Sequence, residues 1–320
     1  MMSPDKREDL LNQLVDPSNR FYRYPWVEKL ALACSRTKIR PNQITLVHTV
    51  IGVTGSWMVF KEHYLLAVVL FEIRNILDSL DGVLARLQKR VTPLGRTLDA
   101  LASAIFFNSL MILGAIRLVQ DFRHYDPLMI IFGVLIFAMT VAHCGTVYQL
   151  LRRKLGSIIR CEVDSVEQEW REQYQELKDS ATKPAKFSLD RLLGHLGFSL
   201  DSIAIKFVSS EWHKKIKRRK DAADWHSRML SESKTMNELA SVTRAKEFKR
   251  AIRATAWVSD ENVFTLINII LLALTLFPTH IFPFVHPLLV AFGISGIYAL
   301  VSLWCAIYFL QRFLHGVHRE

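Results

Sequence analysis

Six apolar segments restrict this 320-residue chain more than anything else in it: about Ile44–Phe60, Tyr64–Leu84, Leu98–Val119, Leu128–Leu151, Val263–Phe277 and Leu288–Leu310. Runs near ~20 apolar residues are long enough to cross a hydrocarbon layer as helices. Within lipid the backbone must satisfy its own hydrogen bonds, which favours helices for such segments. The expected fold is an all-α membrane protein: a six-helix transmembrane bundle with an N-terminal interfacial helix and a helical cytoplasmic insert. The second segment stands apart because it carries Glu72, Arg74, Asp78 and Asp81. It cannot face lipid all round, and charged groups at membrane depth usually serve an ion, a proton path or a substrate.

Asp78 and Asp81 are three apart and share one helix face. Gly82 leaves the backbone beside them open to a ligand. Ala85 keeps the same face low one turn on, and Arg86 ends it with a fixed charge suited to phosphate. Asp99 opens the next apolar segment after a turn containing Pro93 and Gly95. The simplest assembly points three carboxylates from two adjacent helices into one pocket. An oxygen-only pocket suits Mg2+, Mn2+ or Ca2+ rather than zinc.

The spacing Asp78-x2-Asp81-Gly82-x2-Ala85-Arg86-x8-Gly95-x3-Asp99 resembles the signature of the CDP-alcohol phosphotransferases. These are integral membrane enzymes that transfer a phospho-alcohol from CDP to an acceptor hydroxyl. Seven positions agree over 22 residues. The resemblance implies Mg2+ or Mn2+ held by Asp78, Asp81 and Asp99, with the nucleotide against Gly82, Ala85, Arg86 and Gly95. In the family a Pro-Asn-x-x-Thr element opens the first span near the nucleotide, which places Asn42 and Thr45 there. The family motif ends in a fourth Asp that serves as base, and that position here is Ser103. A serine hydroxyl is not a comparable base at neutral pH and is only a weak neutral ligand. Glu72, Asp260 and Glu261 are the candidate substitutes by depth or side. Implied partners are a CDP-alcohol donor, an alcohol acceptor, membrane lipid and a second copy in a homodimer.

The charge distribution orients the bundle. The net charge of +11 suits nucleic acid or an anionic membrane surface, and six apolar segments favour the membrane. No nucleic-acid-binding signature accompanies it. Cations gather in the turn after the second segment, in the fourth-to-fifth connection and at both termini. The positive-inside rule then makes both termini, the motif and that connection cytoplasmic. Residues 1–40 form an N-terminal cytoplasmic or interfacial segment, with Phe21, Tyr22, Tyr24 and Trp26 among Arg20, Arg23 and Lys29. Residues 41–151 hold spans one to four, 152–260 a basic helical insert, and 261–320 the last two spans and the tail. The insert carries amphipathic patterning at 163–177, leucines at 189–196 and a dense basic run at 214–220. Cys34, Cys144, Cys161 and Cys305 are scattered without paired spacing, so reduced thiols are expected.

Three other readings fit the same residues. One is a CDP-alcohol-binding relative with weak or no turnover, acting as a scaffold or regulator through the insert. Another is a cation or proton pathway. The last is a purely structural ion-pair cluster.

Overall fold

In a computed structural model, residues 4–90, 93–161, 245–276 and 286–317 are described, and they form helices and turns with no strand among them. In chain order these are α1 (Pro4–Leu14), a π-helical stretch (Ser18–Arg23), α2 (Tyr24–Ser35), α3 (Pro41–Phe60), α4 (Tyr64–Leu87), α5 (Pro93–Asp121), α6 (Pro127–Cys161), α7 (Ala245–Trp257), α8 (Asp260–Leu276) and α9 (Pro287–Val317). The patterned stretches of the insert at 163–177, 189–196 and 214–220 lie outside the described residues, as does most of the loop 278–287. The N-terminal segment is three short helical pieces rather than one helix.

Local chemistry explains the ends of the helices that carry the motif. Pro41 sits in the first turn of α3, where its missing N–H is not needed, and Gln43 Oε1 accepts the Arg40 backbone N–H at 2.9 Å. Both α3 and α4 stop with a residue in the left-handed region, Glu62 (φ 62°) and Lys89 (φ 53°). The following N–H then reaches back across the last turn: His63 N–H donates to Met58 O at 2.9 Å, and Arg90 N–H to Ala85 O at 2.8 Å.

Among the described residues, four helical stretches are long and apolar enough to cross a membrane: Pro41–Phe60, Leu98–Asp121, Pro127–Arg153 and Pro287–Phe309. A fifth is added if Phe248–Trp257 and Asp260–Leu276 together make one broken span. The chain is thus a multi-pass membrane protein, and the expected six are not reached on length and apolarity. The reason is local. Helix α4 has 24 residues but carries Glu72, Arg74, Asp78, Asp81 and Arg86, and α8 has only 17 residues.

The chain divides into two compact units. One contains α1, α7 and the C-terminal parts of α6 and α9. Its core joins Leu10 and Leu14 of α1 to Leu155 and Ile159 of α6 and to Phe248 and Ile252 of α7. The other unit holds Pro17–Val141 and Glu261–Tyr298, and it contains the whole motif. Here Val27 and Ala31 of α2 pack with Ile44 of α3 and with Leu80 and Leu84 of α4. Glycines bring α3 against its neighbours. A Cβ at Gly52 would lie 2.9 Å from the Phe106 ring of α5, and one at Gly55 would lie 2.6 Å from the Phe71 ring of α4. Small residues that admit close helix approach are the usual device for packing in lipid.

Helix α4 is turned inside out relative to a helix in water. Its outer face is apolar, with Leu65, Leu66, Val69 and Ile73 exposed, while Arg74, Asn75 and Asp81 are buried. A second polar cluster closes the opposite end of α5. There Arg117 Nε donates to Asp121 Oδ2 at 2.7 Å and Arg117 also pairs with Glu62. His286 Nε2 lies 2.8 Å from the same Asp121 oxygen. Asp99 and Asp121 are 22 residues apart on α5, which is ~33 Å along a helix and close to a ~30 Å hydrocarbon thickness.

Candidate active site

Three helices converge on the motif. Helix α4 contributes Asp78 and Asp81 one turn apart, α5 contributes Asp99 and Ser103, and α3 contributes Thr45 and His48. Thr45 Oγ1 donates to Asp81 Oδ2 at 2.6 Å. His48 Nε2 lies 3.5 Å from Asp78 Oδ1 and 3.4 Å from Asp81 Oδ2. One ligand atom each from His48, Asp78 and Asp99 lie within 4.8 Å of one another. Asp81 and His48 are buried, Asp78 is half-buried and Asp99 is exposed. Exposure therefore rises across the carboxylates from Asp81 to Asp99.

Arg74 ties this cluster together. Its Nη2 donates to Asp78 Oδ1 at 3.1 Å and to Ser103 Oγ at 2.9 Å, and Nη1 donates to Asn75 Oδ1 at 3.0 Å. The guanidinium lies 4.6 Å from the centre of the Phe106 ring. Phe106 in turn contacts Phe71 and, at 5.3 Å between centroids, Phe264 of α8. Such stacking and forked donation are what a planar guanidinium provides and an ammonium does not.

Glu72 and Arg74 are two residues apart and each finds partners on other elements. Arg23, fully buried in the π-helical stretch, donates through Nε to Glu72 Oε1 at 2.8 Å and through Nη2 to Glu72 Oε2 at 3.2 Å. Its Nη1 donates to Glu261 Oε2 at 3.0 Å. Glu261 Oε1 is also 3.7 Å from Arg74 Nη1. Glu72 and Glu261 thus belong to an arginine-held network one guanidinium away from Asp78. Asp260 packs on Gly145, where an added Cβ would lie 3.1 Å from the Asp260 carboxyl carbon, and both residues belong to the unit of α1 and α7.

The remaining motif residues lie along one edge of α4 and the start of α3. A Cβ at Gly82 would meet only Arg86 Nη1, at 3.7 Å, so this side of α4 is open and Arg86 lies beside it. Arg86 is exposed, Ala85 and Gly95 are half-buried, and Asn42 is exposed on the first turn of α3.

His48 was missed by reading the sequence. It follows Thr45 by three residues, and that spacing on a helix was the available signal. Its side chain is fully buried, and neither ring nitrogen has a hydrogen-bond partner. An orphaned imidazole beside three carboxylates fits a divalent cation. The donor set of carboxylates with one imidazole is one that such ions accept.

Comparisons with known proteins agree with the motif. Residues 38–159 match the family described as CDP-alcohol phosphatidyltransferase. A stretch of 95 residues is 27% identical to an archaetidylinositol phosphate synthase of Pyrococcus horikoshii, covering 28% of this chain and 50% of that protein. The chain thus spans about half the length of the curated relative it matches. No solved structure matches.

Proposed function

Starting from residues 38–159 as a CDP-alcohol phosphatidyltransferase domain, we propose that the protein is a membrane transferase. It moves a phospho-alcohol from a CDP-alcohol to an acceptor hydroxyl and releases CMP, in the making of phospholipids or related lipids. The observation that carries this reading is the meeting of Asp78 and Asp99 from two helices, with Asp81 reached through His48 at 3.4 Å, beside the open face at Gly82.

The acceptor oxygen attacks the phosphorus bonded to the donor alcohol, the bond from that phosphorus to the CMP oxygen breaks so that CMP leaves with the bonding pair, and the hydroxyl proton passes to solvent. Asp78, Asp81 and Asp99 would hold Mg2+ or Mn2+, which neutralises pyrophosphate charge and stabilises the leaving phosphate. Gly82 and Ala85 give the nucleotide a low surface, with Asn42 and Gly95 at its borders. Arg86, exposed beside Gly82, binds phosphate. Thr45 orients Asp81 through its hydrogen bond. Ser103 stands where the motif has its fourth Asp, and its hydroxyl accepts from Arg74. It positions Arg74 rather than removing a proton. Among the sequence candidates for a base, Glu72 and Glu261 are held by Arg23.

The same reading makes α4 and α8 spans, giving six. The apolar outer face of α4 supports this, since charges turned inward leave only apolar groups for lipid. The exposed Phe21 and Trp26, with Arg20 and Lys29 lying over their rings at 5.0 and 5.5 Å, fit a headgroup-level segment. The site and both termini are cytoplasmic, the insert 152–260 is a cytoplasmic domain, and the protein is a homodimer. The relative's name makes an inositol phosphate one acceptor to include among those tried.

The test is CMP release by the purified full chain from a panel of cytidine-labelled CDP-alcohols, with Mg2+, with Mn2+ and with chelator. Release requiring the metal is expected. Charge stabilisation at such sites is worth several kcal/mol, so Asp78→Asn should cut the rate at least about 100-fold. Binding without release, with release appearing in Ser103→Asp, would instead make this a nucleotide-binding protein without turnover. Absence of binding would remove the transferase reading altogether.

A further inference from the structure

We infer that His48 is a direct nitrogen ligand of the cation at this site, supplying from α3 the donor that Ser103 does not supply from α5. The inference rests on the transferase reading only in taking a divalent cation to bind the carboxylates.

His48 is fully buried, yet neither ring nitrogen makes a hydrogen bond. A buried polar atom left without a partner is costly, so such a group ordinarily has a partner of some kind. Nε2 faces Asp78 Oδ1 and Asp81 Oδ2 at 3.5 and 3.4 Å. Both oxygens are already engaged, Asp78 Oδ1 by Arg74 and Asp81 Oδ2 by Thr45. The ring is aimed between two carboxylates, within ion-pair distance of both but with hydrogen-bond geometry to neither.

The ligand atoms of His48, Asp78 and Asp99 are all within 4.8 Å of one another. Two ligands on opposite sides of an ion at ~2.1 Å stand ~4.2 Å apart, so this set closes on one ion with only small shifts. Ser103 Oγ lies 3.5 Å from Asp78 Oδ1 and accepts from Arg74, but a neutral hydroxyl is a weaker ligand than an imidazole nitrogen. The resulting site mixes imidazole with carboxylates. An imidazole suits transition metals better than Mg2+, which takes oxygen ligands, so the site favours Mn2+.

The experiment binds Mn2+ alone to the purified full chain and records the electron spin echo of the bound ion. A directly ligated imidazole gives 14N modulation, a readout independent of turnover. His48→Gln, His48→Asn and Asp78→Asn are run beside the wild type, with thermal melts to show that each is folded. The expected result is 14N modulation in the wild type and its loss in the two His48 variants. Loss of even an outer partner costs ~10- to 100-fold in metal affinity, so the His48 variants should bind Mn2+ at least about tenfold more weakly. Mn2+ that is lost in Asp78→Asn but shows no 14N modulation, or keeps it without His48, would overturn the inference and leave the carboxylate site standing. Mn2+ binding that is absent, or indifferent to Asp78→Asn, would overturn both this inference and the metal reading beneath it.

Discussion

Arg23 shows how much a single side chain can hold in this protein. It is fully buried and grips Glu72 with two hydrogen bonds and Glu261 with one, while Thr265 Oγ1 accepts a fourth at 2.9 Å. Removing one partner of a buried ion pair leaves the others uncompensated and costs about 3–5 kcal/mol. Arg23→Met should therefore lower the melting temperature of the full chain in detergent sharply. Adding Glu72→Met should return part of the loss, because one orphaned charge is then gone. If Arg23→Met melts like the wild type, the network contributes little and Glu72 returns as a base candidate. The partners of Arg23 were not legible in the sequence. They lie 49 and 238 residues away, and no local spacing encodes such pairings. The aspartates are different, since Asp78 and Asp81 owe their common face to helix periodicity alone.

Helix α3 makes a prediction about sign. In an exposed helix interior, replacing Gly by Ala gains roughly 0.5–1 kcal/mol. At Gly133 of α6 nothing lies within 4 Å of an added Cβ, so Gly133→Ala should stabilise by about that amount. At Gly55 the same Cβ falls 2.6 Å from the Phe71 ring, which is buried and stacked edge-on against Phe106. The ring has nowhere to move, and overpacking of this kind costs about 1–3 kcal/mol. Gly55→Ala should thus destabilise where Gly133→Ala stabilises, as read from paired thermal melts. Equal shifts at both positions would mean that α3 and α4 are not in close contact. Composition marked α3 as apolar, but which of its glycines meets a ring depends on how its neighbours are placed.

The motif-bearing unit has a charged cluster towards each end of α5, ~33 Å apart by helix rise. One end holds the carboxylates and the other Arg117, Asp121 and His286. With the motif end cytoplasmic, a glycosylation acceptor placed within residues 88–94 should stay unmodified, and one placed at 122–126 should be modified. The reverse pattern would invert the proposed orientation. Helical class, multi-pass character and the family match at 38–159 all followed from apolar run length and from residue spacing over short distances. These are local properties, carried by backbone hydrogen bonding and helix periodicity. The number of spans did not follow so directly, because Glu72, Arg74, Asp78 and Asp81 lower the apolarity of α4 although its outer face is apolar. Nor did the site's full membership. His48 acquires its meaning only when α3 packs against α4 and sets a buried, unbonded ring between Asp78 and Asp81. Distance along the chain carries no information about such a meeting, and side-chain packing between helices decides it.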